Sequence, residues 1–135
     1  MSSESAPSAS SDAMMPQPPK HPILIVDDEL PILAMLRDVL VDEGFTVVTA
    51  NNGPAALYLL QQTTVSLVLT DFMMPNLDGI QLAELLRGDP RTADVPLILM
   101  SAVPPPEVGA QFVAVLAKPF ALDNVVQLVR QYHSG

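Results

Sequence analysis

Four short apolar runs, each passing straight into a polar residue, constrain this chain more than any other feature. Ile23–Val26 leads into Asp27-Asp28, Val65–Thr70 into Asp71, Leu97–Met100 into Ser101, and Val113–Ala117 into Lys118. Runs of this length and apolarity suit strands buried on both faces, as in a parallel sheet covered by helices. A further strand is expected at Phe45–Thr49.

Between the runs the period changes from strand to helix. Pro31 opens a helical segment in which Leu33, Leu36 and Leu40 share one face, and Gly44 stands at a good C′ position. Pro54–Gln61 and Ile80–Arg87 read as the next two helices, the second preceded by Asp78 and Gln81 at capping-box spacing. Leu122–Tyr132 closes the pattern as an amphipathic helix. Strands alternating with helices imply βαβ units and a doubly wound parallel sheet with helices on both faces.

Residues 1–22 are rich in Ser, Pro and Ala and lack an apolar period. They are expected to form a disordered tail, with a docking role for Met14 and Met15 as the alternative. One domain is expected over residues 23–133. The net charge of −9, with only six Lys plus Arg and no cluster of them, argues against a nucleic-acid partner. The absence of cysteine excludes disulfides and thiolate metal sites. With no basic-apolar leader and no apolar run long enough for a bilayer, a cytoplasmic protein with no membrane partner is expected.

In open α/β sheets, ligands sit beyond the carboxyl ends of the strands, where the polar residues of this chain collect. Asp27, Asp28 and Asp71 converging there would repel one another, and Mg²⁺ is the hard cation suited to relieve that repulsion. Lys118 is the only lysine outside the tail. It offers a fixed positive charge to an anionic group, and Ser101 offers a hydroxyl. The Lys118–Pro119 bond could be cis or trans. Plainer readings exist for each residue taken alone. An Asp pair is common at a helix N-terminus, and an Asp or Ser is common in the turn after a strand. Asp78-Gly79 reads as a turn and cap, and Met73, Met74 and Met100 as packing. His21 and His133 fall outside the strand-end group.

Ile-Leu-Ile-Val-Asp-Asp-Glu, Val-Leu-Thr-Asp-Phe-Met-Met-Pro-Asn-Leu-Asp-Gly, Leu-Met-Ser-Ala and Ala-Lys-Pro-Phe occur in that order. Over roughly residues 22–133 the chain resembles the response-regulator receiver family of two-component signalling. The resemblance implies a flavodoxin-like, five-stranded (βα)5 sheet. It implies that Asp71 is the phosphoacceptor, supplied by a histidine kinase or a histidine phosphotransfer protein. Asp28 and Asp71 would bind Mg²⁺ directly, Asp27 through water, and Met73 through its backbone carbonyl. Ser101 would hydrogen-bond the acquired phosphoryl group and Lys118 would pair with it. Such a domain is a stoichiometric acceptor with slow self-hydrolysis rather than an enzyme, and as a stand-alone receiver it would signal through an unidentified effector protein.

Three features depart from the family pattern. Only 16 residues separate Ser101 from Lys118, and strand five takes about five of them. The remaining stretch, with Pro104-Pro105-Pro106 and Gly109, leaves room for a fourth helix that is shortened or missing. Val115 stands where the family commonly has an aromatic residue that reports phosphorylation, so the output route is expected to be unusual. Met73 and Val103 are apolar where polar side chains can orient attacking water, so self-dephosphorylation is expected to be slow. Two rivals remain: an interaction module whose phosphorylation is irrelevant, and a Mg²⁺-dependent phosphatase with an aspartyl nucleophile. The phosphatase usually requires Asp-x-Asp after the first strand, which Asp27-Asp28-Glu29 lacks.

Overall fold

In the computed structural model, which describes residues 21–103 and 111–133, every apolar run lies in one sheet. The order along the chain is β1 (Ile23–Val26), α1 (Leu30–Asp42), β2 (Val47–Ala50), α2 (Gly53–Gln62) and β3 (Leu67–Asp71). It continues with α3 (Gly79–Arg87), β4 (Leu97–Ser101), β5 (Ala114–Ala117) and α4 (Leu122–Tyr132). All neighbours pair in parallel, in the order β2-β1-β3-β4-β5. This is the doubly wound, flavodoxin-like sheet expected. The chain moves outward in one direction from β1 to β2 and in the other from β3 to β5. The crevice at that reversal opens between the ends of β1 and β3, where Asp27, Asp28 and Asp71 stand.

Strict alternation of side chains along each strand divides the core into two layers. Leu24, Val26, Val68, Leu97 and Leu99 face Ala56 and Leu60 of α2 and Leu82 and Leu86 of α3. Ile23, Ile25, Leu67, Leu69, Ile98 and Met100 face Leu33, Leu36 and Leu40 of α1 and Val125 and Val129 of α4. The strand interiors are apolar on both faces because both faces are covered.

Element ends shift by one or two residues for identifiable reasons. Phe45 is held at the end of α1, its N–H donating to the Leu40 carbonyl, so β2 begins only at Val47, opposite Ile23. Gly44, at φ 97°, takes the left-handed turn that ends α1. Ser66 is anchored below the sheet instead of entering β3: its N–H donates to the Pro22 carbonyl, and its hydroxyl lies 2.8 Å from His133 Nδ1. Asp71 is the last residue of β3 itself, paired with Met100. Asp78 and Gln81 form the capping box reciprocally, at 2.8 and 2.9 Å.

Among the described residues no α-helix lies between β4 and β5, and Gln111, just before β5, is in a 3₁₀ turn. The shortened or missing fourth helix was expected at residues that include 104–110, which lie outside the described residues. Of the tail expected over residues 1–22, residues 1–20 lie outside them too, whereas His21 and Pro22 are described, with their carbonyls accepting from Ser66.

Arg87 closes the far end of α3 onto the sheet. Its guanidinium donates to the carbonyls of Ala93, Val95 and Gln111 at 2.8, 2.9 and 2.8 Å, joining the loop before β4 to the approach to β5. Three carbonyls lose a charged donor in Arg87→Ala, so a loss of about 2–3 kcal/mol in urea unfolding is expected, with Arg87→Lys recovering only part of it.

Candidate functional site

The end of β1 delivers a fully buried carboxylate. Asp27 Oδ1 accepts from the Glu29 N–H at 2.9 Å, and Oδ2 accepts from Lys118 Nζ at 2.9 Å. Asp28 is exposed, because the chain turns outward toward α1. At the end of β3, Asp71 is buried, with Oδ1 accepting from the Phe72 N–H at 3.1 Å and standing 3.2 Å from Lys118 Nζ. Lys118 reaches across from the end of β5, its backbone N–H fastened to the Ser101 carbonyl at 2.8 Å and its bond to Pro119 cis.

The three aspartates each offer a carboxylate oxygen, and these lie within 4.8 Å of one another. One ammonium among three carboxylates leaves the group net negative. All-oxygen donors, one carboxylate exposed and an adjoining open cleft of about 270 Å³, fit a hard divalent cation that keeps several waters. Asp28, Asp71, Met73, Ser101 and Lys118 line that cleft together. The Ser101 hydroxyl, at the end of the strand next to β3, donates to the Val103 carbonyl.

The electrostatics follow from this crowding. Burial pushes the Asp71 carboxyl up to about 6, reinforced by the negative charge of Asp27 and opposed by Lys118. Burial alone would lower the Lys118 ammonium, but its hydrogen bond to Asp27 and the charges of Asp27 and Asp71 outweigh that and raise it to about 12. The lysine is therefore a permanent cation, whereas Asp71 is a carboxylate whose ionisation is costly while it faces only Lys118.

Two participants were not anticipated. Glu29 places Oε1 3.3 Å from Lys118 Nζ, and Gly79 passes so close to β3 that its N–H donates to the Phe72 carbonyl at 2.8 Å. The first was hidden as an ordinary helix-leading acid. The second was hidden inside what looked like a turn, although Gly after a capping Asp is the signal that could have found it. One expectation is corrected: Met74 and Met100 are buried packing residues, but the Met73 side chain is 66% exposed at the cleft mouth, because the loop after β3 turns it away from both core layers. His133 packs edge-on against Phe45 at the opposite end of the sheet, away from the carboxylates.

The family model described as response regulator receiver domain matches residues 23–130. The chain is 42% identical over 84 residues to the "Probable transcriptional regulator ycf27" of Porphyra purpurea, covering 62% of this chain and 33% of that protein. It is 34% identical over 115 residues to an uncharacterized 14.6 kDa protein of Leptolyngbya boryana, covering 82% and 88%. The first curated relatives are longer, and the chain spans about a third to a half of their length. Among solved structures it is similar to response regulator protein TrrA from Thermotoga maritima in complex with Mg²⁺-BeF, with a TM-score of 0.75, 29% identity, and coverage of 83% and 98%. No helix among the described residues is long and apolar enough to cross a membrane. With the sheet order, the strand-end carboxylates and the match over 23–130 in agreement, the chain belongs to the response regulator receiver domain family of two-component signalling.

Proposed function

We propose that the domain at residues 23–133 accepts a phosphoryl group on Asp71 from a histidine kinase or histidine phosphotransfer protein in the cytoplasm, and passes the signal to an effector protein. The observation that carries this reading is the position of the Asp71 carboxylate: 3.2 Å from Lys118 Nζ, with one of its oxygens within 4.8 Å of those of Asp27 and Asp28. The Mg²⁺-BeF complex of TrrA supports it by likeness.

In the transfer, an Asp71 carboxylate oxygen forms the new O–P bond as the P–N bond to the donor imidazole breaks, and the imidazole takes up a proton. Asp28 and Asp71 would hold Mg²⁺ directly, Asp27 through water, and Met73 by its backbone carbonyl. Bound there, Mg²⁺ would neutralise charge on the transferring group. Lys118 holds a fixed positive charge beside the acceptor oxygen, which stabilises the same charge from the β5 side. The Ser101 hydroxyl leaves the Val103 carbonyl to donate to a phosphoryl oxygen. The exposed side chains of Met73 and Val103 at the cleft mouth carry no hydrogen-bonding group to orient water, which favours a long-lived acyl phosphate.

Incubation with acetyl phosphate and Mg²⁺ is expected to add one phosphoryl mass per chain, absent in Asp71→Asn and without Mg²⁺. After removal of donor, the label should persist for many minutes. Label retained in Asp71→Asn would overturn the assignment, no label at all would favour a pure interaction module, and continuous turnover of phosphate esters would favour a phosphatase. A lifetime of seconds would remove the role given to Met73 and Val103.

A further inference from the structure

The β5–α4 side of the domain carries a groove that the phosphoacceptor chemistry does not use. It measures about 460 Å³ and is lined by apolar Val115, Phe120 and Leu128 and by the amides of Asn124, Gln127 and Gln131. None of its lining residues is charged, in a chain of net charge −9. β5 is the last strand of the sheet, so among the described residues its outer edge has no partner strand. Val115 is 44% exposed there. An uncharged groove with a free strand edge and a row of amides suits an extended, uncharged, partly apolar segment, since Asn and Gln both donate to and accept from a peptide backbone.

The chain supplies such a segment at the right distance. The described residues begin at His21, whose carbonyl accepts from Ser66 Oγ at 3.1 Å, and Ser66 Oγ lies 2.8 Å from His133 Nδ1. Residues 1–20 therefore join the domain beside His133, two residues beyond Gln131 and thus at the groove's own end. The one apolar run among those residues is Ala13-Met14-Met15, six residues before His21. Six residues reach at most about 20 Å. The α4 stretch from Gln131 back to Asn124 is about 10 Å long. Gln17 and the prolines between bring no charge, and Lys20 is the residue next to His21 in sequence.

We infer that Ala13–Met15 docks in the β5–α4 groove of its own chain, covering Val115, so that a protein binding this face must displace the tail. Methionine suits the role, because its unbranched thioether fills irregular apolar gaps without a demanding shape. The local concentration set by so short a connection makes even a weak contact substantial, on the order of millimolar.

The absence of native cysteine permits a direct test on the full chain. In Met14→Cys/Gln127→Cys, mild oxidation is expected to give a disulfide within one chain, at a yield independent of protein concentration. In Val115→Cys, thiol alkylation is expected to speed up at least fivefold when Met14→Asp and Met15→Asp are added, while Tyr58→Cys on α2 reacts at the same rate in both backgrounds. Circular dichroism confirms that each variant is folded. Concentration-dependent dimers in the first experiment would assign the groove to a second copy, and either no cross-link or unchanged Val115→Cys alkylation would overturn tail docking. Each of these outcomes is independent of whether Asp71 is phosphorylated.

Discussion

Gly79→Ala is expected to lower the melting temperature by about 8–15 °C and to slow Asp71 labelling by acetyl phosphate about 10- to 100-fold. A Cβ at Gly79 would stand 2.5 Å from the Asp71 carbonyl oxygen, 2.9 Å from Leu99 Cδ1 and 3.2 Å from Phe72 Cα. Two of those three atoms are backbone at the end of β3, so relief cannot come from a swinging side chain alone. Either α3 moves off the sheet, breaking the 2.8 Å bond from the Gly79 N–H to the Phe72 carbonyl, or the end of β3 is pushed, and the Asp71 carboxylate with it. Alanine gains about 1 kcal/mol over glycine in helix propensity, which offsets only part of an overpacking cost of about 3 kcal/mol. Gly88→Ala is the control. Its Cβ would meet nothing closer than the Glu84 carbonyl at 3.5 Å, so it should be neutral or stabilising by up to about 1 kcal/mol with labelling unchanged. Equal effects at both glycines, measured by thermal melts and labelling rates, would remove the steric argument.

The fold was legible because burial on two faces leaves a strong mark. β1, β3 and β4 are uniformly buried, and their apolar runs stand out from sequence alone. β2 was placed less well, since only Ala50 of its four residues is fully buried and the α1 turn competes for Phe45. Asp27, Asp28, Asp71, Ser101 and Lys118 could be gathered because a parallel sheet aligns all its strand ends on one side, so position in the strand order is position in space. What could not be read was direction. Nothing in Asp27-Asp28 says that the first points inward to Lys118 and the second outward to solvent, because that depends on the turn into α1. The closeness of Gly79 to β3 is likewise a property of packing between elements, with no local periodicity to reveal it. The resting contact of Ser101 with Val103 depends on the loop after β4, where sequence rules are weakest.

Lys118→Met is expected to have the second large effect, and a conditional one. Lys118 is the cation between Asp27, which is fully buried, and Asp71; its side chain is only 11% exposed. Removing it leaves uncompensated buried carboxylate charge, a loss of about 3–5 kcal/mol at pH 8 in the presence of a chelator, or about 10–20 °C in melting temperature. The sign of the pH dependence follows from Asp71. Its folded pKa, about 6, lies above the ordinary 3.8, so the folded state binds the extra proton. That contribution to stability is complete below about pH 4 and is lost as pH rises through 6. In Lys118→Met the opposing positive charge is gone, Asp71 rises further, and the loss extends to higher pH. The gap between variant and wild type should therefore be smaller at pH 5 than at pH 8 and widen between them. If Asp28 and Asp71 hold Mg²⁺ as proposed, it should close much of the gap at pH 8, because the cation would replace the missing charge and bind only the folded chain. Calorimetric melts of both proteins at pH 5 and pH 8, with Mg²⁺ or chelator, decide the matter. Stability lost equally at both pH values, with no recovery in Mg²⁺, would make Lys118 a packing residue and separate it from the carboxylates it touches.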